Sequence, residues 1–170
     1  NQGQVRFVDL HLSEVAQMVN YGFFGEIDVA VIEASAIAPD GRIWLSSGIG
    51  NAPTWLLRAK KVIIELNHYH NPRVAEFADI VIPGAPPRRN SVPIFHTMDR
   101  VGSQCVQIDP KKVVAVVDTE LPDAGNASDK TNPVSQQIAD NVVSFLLAEM
   151  AHKRIPAEFL PLQSGVGNIN

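Results

Sequence analysis

Three short runs of branched apolar residues set the pattern of this chain: Ile27 to Ile32, Val62 to Leu66 and Val113 to Val117. Each is shorter than an ordinary helix and rich in side chains that suit a pleated surface. Their near-continuous apolar character, in place of strict alternation, predicts strands buried on both faces, as in a parallel sheet. Parallel strands need crossover connections, and the stretches between these runs carry helical signals. The prediction is an α/β chain with an open, mainly parallel sheet flanked by helices.

The local signals fill in that plan. Ser13 is placed to cap a helix whose Val15, Met18 and Val19 share one face, and Gly22 and Gly25 close it. Pro39-Asp40-Gly41 is a turn in which Pro presets φ and Gly takes a positive value, so Arg42 to Leu45 returns as a strand. Asn51 caps a second helix with Pro53 in its first turn, and Asn71 caps a short one beginning at Pro72. Asp79 to Pro83 reads as a further short strand. Gly84 to Pro93 is a proline-rich loop carrying Arg88-Arg89. The longest helix begins at Pro133, capped by Thr131 or Asn132, with Val134, Ile138, Val142, Phe145, Leu146 and Met150 along one face. His152-Lys153-Arg154 complement the dipole at its end.

Composition narrows the function classes. The formal net charge of −4 argues against a nucleic-acid surface. No apolar run approaches the roughly 18 residues of a membrane span. One cysteine, Cys105, cannot form an internal disulfide, which points to a reducing, cytoplasmic setting. The 170 residues suit one α/β domain. The opening Asn1-Gln2-Gly3-Gln4 reads as the interior of a longer polypeptide.

Several groups are candidates for chemistry. Ser46 to Asn51 joins a strand to a helix, where open α/β sheets bind ligands. It lacks the third glycine of a dinucleotide fingerprint and the Lys-Ser/Thr of a P-loop, and a plain tight turn is the other reading. Glu33 and Glu65 end adjacent predicted strands, as acid/base groups lining a crevice or as acceptors for backbone groups. His68 and His70 lack an evident third ligand and read as solvated loop histidines, so no metal is expected. Cys105 reads as a buried small hydrophobe. Arg88-Arg89 reads as a solvated pair, and Arg100 as a structural partner of Asp99. The strongest local signal is Gln163-Ser164-Gly165-Val166-Gly167-Asn168-Ile169. Its two glycines allow close backbone approach to a ligand, and exposed amides there form an anion-binding concavity.

Taken together, these segments resemble the acetyl-CoA hydrolase/transferase group of class I CoA-transferases. The resemblance rests on Ile27 to Ser35, Gly48-Ile49-Gly50-Asn51-Ala52-Pro53-Thr54 with Val62 to Asn67, Pro93-Ile94 with Asp99-Arg100-Val101-Gly102, and above all Leu160 to Ile169. It implies CoA transfer between short-chain carboxylic acids of the acetyl-CoA/succinate type through a glutamyl-CoA thioester, or hydrolysis of acetyl-CoA. A carboxylate attacks the thioester carbonyl and backbone amides hold the developing oxyanion. Gly165, Val166, Gly167, Asn168 and Ile169 map onto the CoA-binding segment, coenzyme A being the substrate carrier. The family's nucleophilic glutamate lies downstream of that motif, so no catalytic residue is assigned here. The resemblance also implies an incomplete N-terminal domain of a two-domain enzyme, and a homodimer. The alternative reading is a non-catalytic α/β domain that binds a CoA ester or another phosphorylated small molecule.

Overall fold

The computed structural model of the chain describes residues 7–123, 132–159, 162, 163 and 165. It divides into two compact units, Asn1–Pro122 and Asp123–Asn170. The first carries helices α1 (Leu12–Asn20) and α2 (Ala52–Arg58), and strands β1 (Val29–Ile37), β2 (Arg42–Leu45), β3 (Lys61–Asn67), β4 (Val106–Gln107) and β5 (Val113–Thr119). The second carries helix α3 (Pro133–Ala151). Among the described residues no helix is long and apolar enough to cross a membrane.

The five strands form an open sheet in the order β4-β2-β1-β3-β5. β1, β3 and β5 are parallel, whereas β2 runs antiparallel to both β1 and β4. The α/β class with a mainly parallel centre therefore stands, with an antiparallel hairpin on one side. Side chains alternate along a strand, so register decides which share a face. Ala30 lies beside Val62, Ile32 beside Ile64 and Ala34 beside Leu66. This face packs with Leu56 and Ala59 from the α2 region and with Ile43 and Leu45 of β2. Ile43, Leu56, Val62 and Ile64 are fully buried, each contributing about 1.5–3 kcal/mol of hydrophobic stabilisation.

The opposite face differs from expectation. Val29 is 48% exposed and Val31 65%, so the β1 run is not buried on both sides. β5, the most strand-like stretch of the sequence, is exposed along Val114 to Asp118. Apolar content reports strand formation, while burial depends on what packs against each face.

Other departures are local. β1 continues to Ile37 through a bulge between Ala34 and Ala36. At that bulge the buried Ser35 hydroxyl donates toward the carbonyls of Trp44 and Leu45, at 3.3 and 3.1 Å. The position before α1 is His11, not Ser13, and no side chain caps it. Asn51 precedes α2 without capping it; its amide donates to the carbonyl of Leu12 instead. The other end of α2 is held by Lys112, whose Nζ donates to the carbonyls of Leu56 and Leu57 at 2.7 and 3.0 Å. Burial pushes that ammonium's pKa below its ordinary value. Pro72–Phe77 is a 3-10 helix, capped as expected by Asn71, whose side chain accepts from the Arg73 amide. Asn132 caps α3 in a reciprocal arrangement with Ser135.

The predicted strand at Asp79–Pro83 shrinks to an isolated bridge between Ile80 and Ser103. Side chains hold this stretch more than ladders do. Asp79 accepts from the Gly102 amide at 2.6 Å, and Asp99 accepts from the amides of Phe95 and His96. The Arg100 guanidinium donates to the carbonyls of Glu76 and Ala78, at 2.8 and 2.5 Å. Arg100 thus acts structurally, through backbone carbonyls rather than through Asp99. Replacing Arg100 with alanine leaves those carbonyls without their charged donor and lowers unfolding stability by about 1–3 kcal/mol. Urea titration followed by circular dichroism measures it.

Candidate functional site

At the carboxyl end of the parallel strands the face opposite that core turns polar. The β1–β3 register places Glu33 directly beside Glu65. Asn67 ends β3 two residues on, and hence on the same face. Across the ladder Asn67 pairs with Thr119 of β5. Ser46, the first residue after β2, completes the group. The two glutamates named from sequence are therefore brought together, at the sheet end where α/β proteins assemble binding sites.

Their surroundings differ. One Glu33 oxygen, Oε2, accepts from the Ser46 hydroxyl at 2.5 Å. The other, Oε1, accepts from Asn67 Nδ2 at 2.7 Å and lies 3.4 Å from His70 Nε2. A carboxylate engaged on both oxygens by ordered donors has little freedom to attack a carbonyl or collect a proton. Glu33 is consequently a scaffold acceptor. Glu65 accepts from the Thr119 hydroxyl at 3.1 Å and, like Glu33, is half-buried.

Asn67 joins these pieces. It is 2% exposed, and its amide makes all four hydrogen bonds open to it. Nδ2 donates to Glu33 and to the Leu121 carbonyl, at 2.7 and 2.8 Å. Oδ1 accepts from the amides of Tyr69 and Leu121, each at 3.1 Å. One side chain thereby fixes the ends of β1 and β3 and the segment after β5. Sequence reading passed over it; the available signal was a lone amide at the end of an apolar run.

Of the remaining candidates only His70 lies beside Glu33. His68 is exposed and paired with Asp118 at 2.7 Å, in keeping with a surface histidine. His70 is 9% exposed, which corrects its reading as a solvated loop residue. Cys105 is only half-buried, its sulfur 3.8 Å from the Ser103 hydroxyl, so it is not the buried hydrophobe expected. Arg88 and Arg89 are exposed, and Arg89 Nε donates to the Gly84 carbonyl. In the Ser46–Asn51 loop, Gly50 has φ +43° and Gly48 has open space around it. Gly165 is exposed, with room for a side chain. Val166, Gly167, Asn168 and Ile169 lie outside the described residues.

Comparison with known proteins adds a second line of observation. Residues 1–118 match the family described as the acetyl-CoA hydrolase/transferase N-terminal domain. Over all 170 residues the chain is 85% identical to propanoyl-CoA:succinate CoA transferase of Escherichia coli, covering 35% of that protein. It is 39% identical to succinyl-CoA:acetate CoA-transferase of Clostridium kluyveri over 99% of this chain and 31% of the relative. Acetyl-CoA hydrolase of Saccharomyces cerevisiae is 37% identical, again over 99% of this chain and 33% of the relative. The chain spans about a third of the length of these curated relatives.

Proposed function

The chain belongs to the acetyl-CoA hydrolase/transferase family, and we propose that it is part of the N-terminal domain of an enzyme that moves CoA between short-chain carboxylic acids. The observation that carries this reading is 85% identity along the whole chain to a protein named for propanoyl-CoA and succinate. That pair is accordingly the first donor and acceptor to test. A glutamate outside these 170 residues attacks the acyl-CoA carbonyl and displaces CoA thiolate to form a mixed anhydride. The thiolate then attacks the glutamyl carbonyl, releasing the donor acid and leaving a glutamyl-CoA thioester that the acceptor acid takes through the reverse steps. Water in place of the acceptor acid gives hydrolysis, the activity named for the yeast relative.

Within this chain, Gly165 to Ile169 are the segment proposed to bind CoA, with Val166 and Gly167 as its oxyanion or thioester contacts. Glu33 stays outside the bond-making steps because its oxygens are committed to Ser46 and Asn67. The same reading takes the enzyme as a cytoplasmic homodimer that uses no metal; the single cysteine supports the compartment.

The test uses protein of the relatives' length. Propanoyl-CoA and labelled succinate yield labelled succinyl-CoA, and incubation with acyl-CoA alone leaves a covalent CoA adduct visible by intact mass. Glu33→Gln still forms the adduct, since its carbonyl accepts from Asn67 while its amide donates to a rotated Ser46 hydroxyl. Failure to exchange CoA between any pair of short acids, together with failure to hydrolyse acyl-CoA, would overturn the assignment. An adduct abolished by Glu33→Gln in a folded protein would overturn the role given to Glu33.

A further inference from the structure

A cavity of about 140 Å³ lies between α1, the end of the Ser46–Asn51 loop with the start of α2, and the segment from Val81 to Arg89. All of these belong to the first unit. At roughly 30 Å³ per water molecule it has room for about five water-sized groups. Val81, Ile82 and Ala85 give it an apolar lining, and Gln17, Asn20 and Thr54 a neutral polar one. Arg89 is the one charged residue among the described residues that line it, so no carboxylate there neutralises the guanidinium.

Three of these side chains are set up to meet an anion. Thr54 is 8% exposed, and no hydrogen bond of its hydroxyl occurs among the described residues. That oxygen is not sealed into the core; it borders the cavity, where a ligand acceptor can take its proton. Asn20 accepts from Arg58 Nε through Oδ1 at 2.6 Å, so its amide has the Nδ2 donor left to offer. Arg89 Nε donates to the Gly84 carbonyl at 3.1 Å. This anchors the guanidinium and leaves its terminal nitrogens for the paired oxygens of a carboxylate.

We propose that this cavity binds a short-chain monocarboxylate of the size of propanoate. Its carboxylate meets Arg89 and the Thr54 hydroxyl, and its alkyl chain lies against Val81 and Ile82. Inorganic phosphate fits less well, because its remaining oxygens would face apolar side chains. A four-carbon dicarboxylate exceeds the room and brings a second charge to a cavity with one cation. The inference stands on the cavity's lining and does not require the CoA chemistry.

Saturation-transfer NMR of propanoate tests it, with protein of the relatives' length and no acyl-CoA present. Saturable binding is expected. Thr54→Val keeps the side-chain shape and removes a hydroxyl without a protein partner, so thermal unfolding stays where it was while propanoate affinity falls about tenfold. Arg89→Gln lowers affinity at least as far, and Arg88→Gln leaves it unchanged. Succinate and inorganic phosphate fail to displace the propanoate whose binding depends on Arg89. Absence of saturable binding, or affinity unaltered in both Thr54→Val and Arg89→Gln, would overturn the proposal. So would an equal loss in Arg88→Gln, or displacement by succinate or phosphate as effective as by propanoate itself. Failure of CoA exchange leaves this readout untouched, so the two readings succeed or fail separately.

Discussion

Asn67→Asp lowers unfolding stability by about 3–5 kcal/mol at neutral pH, the largest effect expected of any isosteric change in this chain. The substitution alters almost no volume. It replaces the Nδ2 donor, 2.7 Å from Glu33 Oε1 and 2.8 Å from the Leu121 carbonyl, with a second acceptor. Two attractive contacts become repulsive in a site that is 2% exposed. Both desolvation and the neighbouring carboxylate raise the folded-state pKa of the introduced carboxyl above its unfolded value. Its penalty is therefore absent below the unfolded pKa and fully developed above the folded one. Stability relative to the parent recovers on acidification. Asn67→Ala also loses the four hydrogen bonds, but introduces no titrating group and gives a penalty with little pH dependence of its own. Parallel urea titrations of the three proteins at neutral and mildly acidic pH measure both effects. Equal pH slopes for the aspartate and alanine variants would remove Asn67 from contact with Glu33.

Gly41→Ala follows closely, with an expected loss of about 2–4 kcal/mol. Gly41 closes the turn between β1 and β2, its amide donating to the Ala38 carbonyl at 3.0 Å. Its φ is +89° and the position is buried; a Cβ there would run into the carbonyl oxygen of Ile108. That carbonyl cannot retreat cheaply, because the Ile108 amide is itself bonded to the Gly41 carbonyl at 3.0 Å. Gly22→Ala is the control. It has φ +78° with nothing near a Cβ, so only the backbone term remains, about 1 kcal/mol. A shift in urea midpoint for Gly41→Ala no larger than for Gly22→Ala would mean that the turn, not the contact with Ile108, sets the requirement for glycine.

These cases also separate what is local from what is not. Pro39-Asp40-Gly41, the glycine closures at Gly22 and Gly25, and the caps at Asn71 and Asn132 were legible because each depends on backbone dihedrals and hydrogen bonds within a few residues. The same holds for the three apolar runs as strands. Ser13 and Asn51 were plausible caps by composition, yet no side-chain cap forms at either helix start. Several chain positions satisfied the same statistical preference there, and packing selected among them. Glu33 and Glu65 were named as neighbours from strand order alone, which their shared register bears out. Their unequal roles were hidden, since those depend on Ser46, Asn67 and Thr119, contributed by other parts of the chain.

By itself the sequence determined the strands β1, β2, β3 and β5, the mainly parallel α/β class and the family, all encoded in local composition, short-range turn chemistry and ordered motifs. Tertiary structure alone decided which face of the sheet is covered, that His70 is buried while His68 is not, and that Asn67 ties three strand ends together. The physical reason is separation along the chain: Asn67 meets Glu33 across 34 positions and Leu121 across 54. A hydrogen bond between such partners exists only once β1, β3 and β5 have paired in their observed register. No pattern within a window of residues carries that register.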